Sequence, residues 1–329
     1  MRKLLVGLLL LLLAAAGGTG LWFWSYLTTA PAGRDEVIVV IPRGTGVRGI
    51  GAILAAKGIL KDDIRYLALV RFAGLTSRLK AGEYRFPAGL TPPEVLQLLA
   101  TGATIRHQVT VPEGLTVEQV ATLFAGQGWV RRDRFLALAR DPGFLSGLGI
   151  EVEHLEGYLF PETYTLIRQE TDEASVLRLM VAQFEREWAT IRPAEPGPMT
   201  RHQLVTLASI VEKETGVAEE RPLIARVFLN RLQRNMRLQS DPTVIYGIPD
   251  FTGNLTRAHL RQATPYNTYV IPALPPGPIC NPGRAALEAV LRPADANALY
   301  FVSKNDGTHV FSTNLADHNR AVRTYQKTR

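Results

Sequence analysis

The sequence predicts an α+β protein in three parts: an N-terminal transmembrane helix, a small repeated α/β module, and a larger α+β domain. A run without charged residues at 4–27 is long enough to cross a bilayer, because a spanning helix needs about 20 apolar residues. Two segments that start 70 residues apart resemble each other, which indicates a repeated unit. The remaining sequence passes from long helical patterns to short, turn-rich segments, a mixture typical of α+β domains.

Composition and charge exclude several classes of protein. Hydrophobic residues make up 46% of the 329 residues and charged residues 20%, which is ordinary for a globular chain and excludes disordered and collagen-like proteins. The net charge of +7 is a mild excess, which permits an anionic cell-wall polymer, lipid head group or nucleic acid as partner and selects none of them. A single cysteine, Cys280, excludes an intramolecular disulfide and a zinc site built from several cysteines.

The apolar run at 4–27 has the flanks of a membrane anchor. The two cations in residues 1–3 precede it, and cations on one side favour an orientation with that end in the cytoplasm. Trp22 and Trp24 stand near its other end, and aromatic side chains collect at membrane surfaces. We therefore predict a cytoplasmic N-terminus at 1–3 and a transmembrane helix at 4–27.

A cleaved signal peptide is the alternative for this segment, with the alanines at 14–16 as the cleavage region. The apolar run continues well beyond these alanines, and its length favours the anchor. In both cases the rest of the chain lies outside the cytoplasm. That location argues against chemistry that depends on ATP or NAD.

A linker at 28–34 leads into short elements with clear patterns. β-Branched residues mark the first strand, and apolar residues at helical spacing mark the helices. In order, the patterns predict a strand at 36–41, helices at 46–57 and 62–72, a strand at 81–86 and a helix at 91–100.

Part of this arrangement recurs further along the chain. Residues 41–47 (IPRGTGV) match 111–117 (VPEGLTV), and the closing strand at 82–87 (GEYRFP) has a counterpart at 157–161 (GYLFP). Internal similarity of this kind indicates a repeated supersecondary unit. The pattern therefore predicts a second closing strand at 157–161.

The order of a strand, a turn, two short helices and a strand resembles LysM, a small glycan-binding module. We predict a LysM-like module at 34–105 and a second LysM-like half near 109–165. Such copies can also serve only as packing units, because a fold does not determine a function.

One motif inside the first copy resembles a dinucleotide fingerprint. Residues 44–49 (GTGVRG) match G-x-G-x-x-G between a strand and a helix. Pro42 and Arg43 separate the strand from the glycines, and the copy at 113–120 lacks two of the three glycines. The glycines are therefore interpreted as turn residues, and no nicotinamide cofactor is expected.

The larger domain begins with helices and ends with turns. Shorter polar segments, punctuated by proline, follow residue 235 and are expected to form loops, among them 237–247. The patterns predict helices at 173–188, 200–215 and 219–233, and short strands at 300–303 and 308–311.

The helix at 200–215 carries a candidate acid. At 100° per residue, Glu214 falls near the apolar face formed by Leu207, Ile210 and Val211, whereas Glu212 lies well off that face. A carboxyl on an apolar face has a raised pKa, because burial penalises its charged form. A raised carboxyl pKa is what a general acid needs near neutral pH.

The sequence gives weaker signals for other roles and other kinds of site. A structural ion pair with Arg221 or Arg226 is the alternative for the glutamate near the apolar face. Ser209 has no base partner in any hydrolase motif, and neither a P-loop nor a kinase motif is present. His309 and His318 lack a third ligand at metal spacing, so no metal site is expected.

The polar segments suit sugar recognition, because aromatic faces stack on pyranose rings and amides bind hydroxyl and acetamido groups. Ordinary turn chemistry is the alternative. The segments are 237–247 (RLQSDPTVIYG), 264–269 (TPYNTY), 274–279 (LPPGPI) and 308–319 (THVFSTNLADHN).

Several of these motifs, in this order, resemble the YceG-like family of endolytic murein transglycosylases. The resemblance runs from the anchor to Asn319, almost the whole chain. The motifs are 156–164 (EGYLFPETY), 208–215 (ASIVEKET), 238–247 (LQSDPTVIYG), 266–269 (YNTY) and 274–279 (LPPGPI).

The resemblance implies a single-pass protein of the inner membrane with a LysM-like part and a catalytic domain at 106–329 in the periplasm. It implies non-hydrolytic cleavage between N-acetylmuramic acid and N-acetylglucosamine inside nascent peptidoglycan strands. The products would carry 1,6-anhydro ends, and strand length would be limited. The implied partners are glycan strands and peptidoglycan synthases, without nucleic acid and without a cofactor.

The position in the family motif identifies Glu214 as the catalytic residue, with Glu212 as the alternative acid. The pair formed with Thr215 is similar to the Glu-Ser pair of other lytic transglycosylases. Gly216 departs from the alanine that we expect just after this pair, and it should not change the chemistry.

Two rival functions stay open from the residues alone. Hydrolysis normally needs two carboxyl groups, and Asp241 or Glu212 could supply the second, so a muramidase-type hydrolase is possible. A non-catalytic peptidoglycan-binding scaffold is the other rival. For substrate binding we predict Gln239, Asp241, Asn267, Tyr269 and Asn314.

Overall fold

The structure is a computed structural model that describes residues 2–31, 35–168, 170–192, 195 and 197–326. Met1, Arg34 (the first residue of the predicted module) and the end of the predicted catalytic domain at 327–329 lie outside the described residues. The chain forms two compact units. The first contains residues up to Val109 and Thr165–Thr171, and the second contains Thr110–Tyr164 and the residues from Asp172 onward.

The first unit combines a long apolar helix with a small α/β body. Its elements are α1 (Arg2–Thr28), β1 (Val37–Ile41), α2 (Val47–Ala56), α3 (Ile64–Phe72), β2 (Gly82–Phe86), α4 (Pro92–Thr101) and β3 (His107–Thr110), the last of which leads into the second unit. These bounds confirm the elements predicted between 36 and 100.

The body of the first unit is built around an antiparallel strand pair. β1 pairs with β2 from Val37 opposite Phe86 to Ile41 opposite Gly82. Alternate residues of β1 face the core, as the pleat of a strand requires. Helices α2, α3 and α4 cover this face, and Tyr26 near the end of α1 is buried in the same core.

The structure confirms the predicted repeat. Strand β3 begins 70 residues after β1, and α5 (Val117–Gly126) lies 70 residues after α2 at both ends. Gly44 and Gly114, which precede these helices, both have left-handed backbones with φ of 79° and 75°. Both positions favour glycine because a Cβ atom is strained there, which agrees with the interpretation of these glycines as turn residues.

The second closing strand predicted at 157–161 is wrong. These residues form turns, and the strand that pairs with β3 is β4 (Thr163–Leu166). The Asn281 Oδ1 atom accepts hydrogen bonds from the Gly157 and Leu159 amides at 3.0 and 2.9 Å. These amides are therefore not available to a strand ladder.

The second unit is mainly helical. Besides α5 and β4, its elements are α6 (Arg132–Leu138), α7 (Pro142–Gly147), α8 (Glu173–Ile191), α9 (Arg201–Glu214), α10 (Arg221–Gln233), α11 (Asp241–Tyr246), α12 (Arg284–Leu291), β5 (Tyr300–Ser303), β6 (His309–Ser312) and α13 (Leu315–Tyr325), with single 3₁₀ turns at Ala218–Glu220 and His259–Arg261. The three predicted long helices and the two short strands are confirmed.

Helix α9 is the centre of this unit. Thr200 begins it with a capping box that it shares with Gln203, and α10, α11 and α12 pack around it. The loop expected at 237–247 is wrong in part, because α11 forms inside it with Pro242 in the first turn. Proline is tolerated there since the first turn has no intrahelical partner for its missing N–H group.

Candidate active site

Glu214 is the last residue of α9 and is partly enclosed. The next residue, Thr215, has an extended backbone, so the chain turns away directly after the carboxyl group. The Ser240 Oγ atom donates a hydrogen bond to Glu214 Oε1 at 2.5 Å. The end of α9 and the start of α11 thus meet at this carboxyl group.

The surroundings of Glu214 raise its pKa to about 7. Burial is the main cause, because it penalises the charged form, and the negative charge of Asp241 acts in the same direction. The hydrogen bond from Ser240 and the positive charges of His309 and Arg231 act in the opposite direction. Near neutral pH the group is therefore present in both protonation states, as a group that donates and then accepts a proton requires.

The segment before α11 is held by a second loop. The Gln239 amide donates to the Thr268 carbonyl at 3.1 Å, and the Ser240 amide donates to Thr268 Oγ1 at 2.9 Å. Gln239 has a left-handed backbone with φ of 52°, and its side chain is exposed. Such strained non-glycine backbones often occur at functional sites.

Asp241 and Tyr269 form a pair beside Glu214. The Tyr269 Oη atom donates to Asp241 Oδ1 at 2.7 Å. Burial and the neighbouring Asp241 raise the pKa of Tyr269, so the phenol stays protonated and donates. Both side chains that we predicted for substrate binding therefore lie at the candidate site.

Asn267 has a different position from the one we expected of a substrate ligand. It is fully buried, its Nδ2 atom donates to three backbone carbonyls, and its Oδ1 atom accepts from the Tyr269 amide at 2.9 Å. These bonds occupy both N–H groups of the amide and one acceptor site of its oxygen. In this conformation Asn267 organises the loop that presents Tyr269.

Asn314 is the N-cap of α13. Its Oδ1 atom accepts from the Asp317 amide at 3.0 Å, and its Nδ2 atom donates to the Asp317 carboxylate at 2.9 Å. Its amide is thus engaged in capping, a common role of asparagine at this position. Nearby, the ring of His318 stacks on Tyr300 with centroids 5.2 Å apart.

Glu212 forms the structural ion pair that we considered for Glu214. Its carboxylate lies 3.4 Å from Arg221 and accepts from the Gly283 amide at 2.9 Å. Arg221 also lies 3.8 Å from Glu113. The Glu212 side chain is only 6% exposed, although the helical face predicts an outward position. The reason is that neighbouring elements surround α9, so no face of its central turns meets solvent.

Sequence reasoning missed three residues around the acid: Ser240, Arg231 and His309. Arg231 is buried and donates to the Leu299 and Leu238 carbonyls at 2.7 and 2.6 Å. His309 Nδ1 lies 2.6 Å from the Glu220 carboxylate. Ser240 and His309 stand in the polar segments 237–247 and 308–319, whereas no polar motif marks Arg231. All three approach the acid only through the folding of distant segments.

Ser209 and Arg226 have structural roles. Ser209 is fully buried, donates to the Thr206 carbonyl at 2.7 Å and accepts from the Ile279 amide at 3.0 Å. Arg226 donates to the Ala294 carbonyl at 2.6 Å. These contacts fix the loop at 274–279 and the segment just after α12 against the core of the unit.

The fold and the site together define a protein with one protonatable carboxyl group at the end of a central helix, surrounded by polar loops. This arrangement is typical of acid–base cleavage of polar polymers. The model of the YceG-like family matches residues 39–324, and the chain belongs to that family.

Named relatives are similar over most of their length. The chain is 32% identical over 308 residues to the endolytic murein transglycosylase of Bacillus subtilis, covering 89% of this chain and 85% of that protein. It is 31% identical to the protein of the same name from Streptococcus pneumoniae, covering 95% of this chain and 63% of that protein.

A solved structure has the same fold. The 2.6 Å crystal structure of a YceG-like protein from Listeria monocytogenes superposes with a TM-score of 0.56 at 30% sequence identity. The match covers 88% of this chain and 99% of the other.

Proposed function

We propose that this chain is an endolytic murein transglycosylase in which Glu214 is the general acid and then the general base. The observation that carries the proposal is the position of Glu214, whose pKa of about 7 lets one group serve both steps. The names of the relatives support the activity, and they favour neither a hydrolase nor a scaffold.

In the first step the protonated Glu214 donates its proton to the glycosidic oxygen between N-acetylmuramic acid and N-acetylglucosamine. The bond from C1 to that oxygen breaks, and the acetamido oxygen of the muramic acid residue attacks C1. In the second step the Glu214 carboxylate accepts the proton of the C6 hydroxyl group while its oxygen attacks C1 and displaces the acetamido oxygen. The product is a 1,6-anhydro end, and no water is consumed.

Asp241 supports this cycle as a neighbouring charge. It helps to keep Glu214 protonated before the first step, and its negative charge favours the positive charge that develops at C1. Tyr269 holds Asp241 in position through the hydrogen bond of 2.7 Å. The exposed side chain of Gln239 is available to orient the sugar.

The decisive experiment is mass spectrometry of the products formed from uncrosslinked glycan strands by the full-length protein in detergent. Glu214→Gln and Glu212→Gln are compared with the parent. We expect anhydro-muramyl ends from the parent, a loss of about a thousandfold in rate for Glu214→Gln, and continued chemistry for Glu212→Gln. Cleavage by Glu214→Gln at the parental rate would reject Glu214 as the acid, and reducing ends would indicate hydrolysis.

The pH profile tests the same assignment independently. The acid must be protonated at the start of the cycle, so kcat/KM should fall as the pH rises through about 7. In Ser240→Ala the descending limb should move to higher pH, because that hydrogen bond lowers the pKa of Glu214. An unchanged limb in Ser240→Ala would assign the limb to another group.

We also propose that α1 anchors the protein in the inner membrane with its N-terminus in the cytoplasm and the second unit in the periplasm. Among the described residues, α1 is the one helix long and apolar enough to span a bilayer. The cations at residues 2 and 3 support the orientation. Protease added to spheroplasts should digest a C-terminal tag and spare an N-terminal one; the reverse pattern would overturn this topology.

An anchored enzyme of this kind acts where nascent strands emerge, and we propose peptidoglycan synthases as its membrane partners. Cross-linking in intact cells, followed by purification of the full-length protein, should recover a synthase. Recovery of the same proteins with a variant that carries an unrelated anchor would assign the contact to the other parts of the chain.

The LysM-like identity of 34–105, with its second half near 109–165, stays a prediction.

A further inference from the structure

We propose that the second unit contains a distal saccharide-binding site, separate from Glu214, that holds an uncharged sugar residue of the same glycan strand. It is a cleft of about 420 Å³ lined by Arg140, His154, Glu156, Tyr246 and Tyr266, together with backbone of the turn after α11. The inference rests on the proposed function, because it assumes that the substrate is a glycan strand. A volume of this size is ordinary for a ligand site.

The position of the cleft relative to the acid suits a polymer. Helix α11 begins with Asp241 beside Glu214 and ends with Tyr246 in the distal cleft. Six residues of helix span about 9 Å. A strand bound at Glu214 can therefore extend over α11 into the distal cleft, whereas a single sugar cannot occupy both places.

Glu156 gives the cleft a polar floor that carries little charge. It is buried, and it accepts hydrogen bonds from the Val117 amide at 3.0 Å and from Tyr246 Oη at 3.1 Å. No salt bridge involves it among the residues that the structure describes. A buried carboxyl group without a cation is costly when ionised, and burial raises its pKa to about 8, so it is mainly protonated near neutral pH.

The other lining groups favour a sugar over an anionic stem peptide. Burial lowers the pKa of His154, so its imidazole is neutral, and its Nδ1 atom accepts from the Glu156 amide at 3.2 Å. Arg140 shares the lining with the acidic residues Glu118 and Asp250. The result is a cleft without net positive charge, which does not attract carboxylates.

Tyrosine rings supply the remaining feature of a saccharide site. The rings of Tyr246 and Tyr266 meet edge to face with centroids 4.8 Å apart, and both side chains are half-buried. Half-buried aromatic rings offer an apolar face to the C–H side of a pyranose while nearby polar groups bind its hydroxyls. The neutral Glu156 and His154 are placed to bind those hydroxyl and acetamido groups.

The test measures binding separately from chemistry. In a full-length Glu214→Gln background, the affinity for defined uncrosslinked glycan oligosaccharides is measured as a function of their length, with and without stem peptides. Tyr266→Ala should weaken the binding of long strands about tenfold and leave short ones unchanged. Tyr325→Ala, on α13, is the matched control, because it removes a tyrosine outside the distal cleft.

A second variant guards against misfolding. Glu118→Trp places a bulky side chain at the exposed rim, removes nothing from the core, and should cause the same length-dependent loss. Unchanged length dependence in both variants would overturn the distal site, and a loss confined to strands with stem peptides would identify a peptide site instead. Failure of the proposed function itself would show separately, as cleavage by Glu214→Gln.

A second, independent observation concerns the first unit: we infer that the outer face of α3 lies on the membrane surface. Its apolar residues Ile64 and Phe72 are 70% and 81% exposed. They lie eight residues apart, and therefore on the same side of the helix. These two side chains give this side of α3 an apolar character away from the core of the first unit.

The anchor supplies the occupant of this surface. A hydrocarbon layer of about 30 Å corresponds to about 20 helical residues, which from Leu4 reaches Phe23. The ring of Phe72 lies 6.4 Å from that of Phe23, and Arg65 stacks over Trp22 at 4.7 Å. If α1 spans the bilayer, α3 must therefore lie at the level where the hydrocarbon ends.

The flanking charges are those of an interfacial helix. Arg71 in the last turn of α3 is exposed beside Phe72 and can reach lipid phosphates. The opposite side of α3, with Tyr66 and Val70, is buried in the core of the first unit. Helix α3 thus has one apolar side in the core of the first unit and a second, exposed side with Ile64, Arg71 and Phe72 that can meet lipid. This inference rests on the proposed anchor.

Fluorescence quenching in proteoliposomes of phosphatidylglycerol and phosphatidylethanolamine tests this contact. A fluorophore on Phe72→Cys of the full-length protein is compared with one on Arg48→Cys, an exposed residue of α2; native Cys280 is fully buried and unreactive. Nitroxide lipids should remove most of the emission at residue 72 and none at residue 48. Quenching at residue 72 by aqueous iodide alone would overturn the inference. Protection of residue 72 from both quenchers would also overturn it, and would indicate that a second copy of the protein covers this face of α3.

A label at Leu12→Cys tests the anchor itself, because that residue lies near the middle of α1. Quenching there by deep nitroxides, without quenching at residue 72, would reject the membrane contact of α3 while retaining the anchor. No quenching at either place would reject the anchor.

Discussion

The two copies of the repeated unit share the first strand, the left-handed turn and the first helix, and they differ in their surroundings. The turn at Gly44 is exposed, whereas the equivalent turn at Gly114 is buried. The Gly114 amide donates to the Asn281 carbonyl at 2.9 Å, and its carbonyl accepts from Lys213 Nζ at 3.3 Å. Lys213 directly precedes the candidate acid, so the second copy supports the end of the helix that carries Glu214.

Side chains at equivalent positions also differ in their contacts. Arg43 in the first copy is exposed, and its counterpart Glu113 lies 3.8 Å from Arg221 of the second unit. The first helical amide of α5, at Val117, donates to Glu156, which lines the distal cleft. A repeat can thus keep its turn geometry while a few substitutions join one copy to the surroundings of the candidate site.

The largest effect is expected from Arg221→Met. It leaves the carboxylate of Glu212 buried without its cation, and removal of one partner of a buried pair costs about 3–5 kcal/mol. Arg43→Met in the first copy should change the free energy of unfolding by less than about 0.5 kcal/mol, as exposed substitutions do. Chemical unfolding of both variants in detergent measures the difference. Equal losses would show that the contacts of Arg221 with Glu113 and Glu212 do not stabilise the fold.

The second prediction concerns pH and Glu156, since no buried carboxylate belongs to the first copy among the described residues. The native state raises the pKa of Glu156 to about 8 from its ordinary value of 4.5, so folding binds a proton between these values. Stability is therefore lost as the pH rises from about 5 to 8, by up to about 5 kcal/mol. The glutamine of Glu156→Gln cannot ionise, so the variant should not lose this stability as the pH rises.

Melting temperatures at pH 5 and pH 8.5, for the parent and Glu156→Gln, check this prediction. The raised pKa of Glu214 lowers stability with rising pH in both proteins. The difference between their melting temperatures therefore reports on Glu156. A parallel decline in the two proteins would contradict the raised pKa.

The smallest effect is expected from alanine at the paired glycines. Gly44→Ala and Gly114→Ala both place a Cβ atom on a left-handed backbone, which costs about 1–2 kcal/mol in each case. Only Gly114→Ala should also lower kcat, several-fold, because relaxation of that turn disturbs its bonds to Asn281 and Lys213. Equal kcat values for the two variants would mean that the turn of the second copy does not position the acid.

Much of the fold followed from local patterns in the sequence. Apolar spacing and the N-cap residues Thr91 and Thr200 place the first residues of α4 and α9 within a residue or two. Such features act within one helical turn, so the local sequence is sufficient. The strand expected at 157–161 failed for the opposite reason. A distant side chain, Asn281, binds its amides, and no local pattern contains that contact.

The candidate site shows the same limit. Gln239, Asp241 and Tyr269 stand in motifs that can be noticed in the sequence, and the structure brings Asp241 and Tyr269 together through a hydrogen bond. Arg231 and His309 could not be found in this way, because their effect on the acid depends on segments that are distant in the chain.

The sequence by itself determined the apolar N-terminal helix, the repeat with its spacing of 70 residues, and the helix that ends in two nearby glutamates. Periodicity and local turn chemistry are sufficient for such features. Only the tertiary structure shows how differently the two glutamates are surrounded: Arg221 and the Gly283 amide bind Glu212, and Ser240 meets Glu214. The physical reason is that desolvation and pairing depend on what surrounds a carboxyl group in space, and α9 is surrounded by elements from distant parts of the chain.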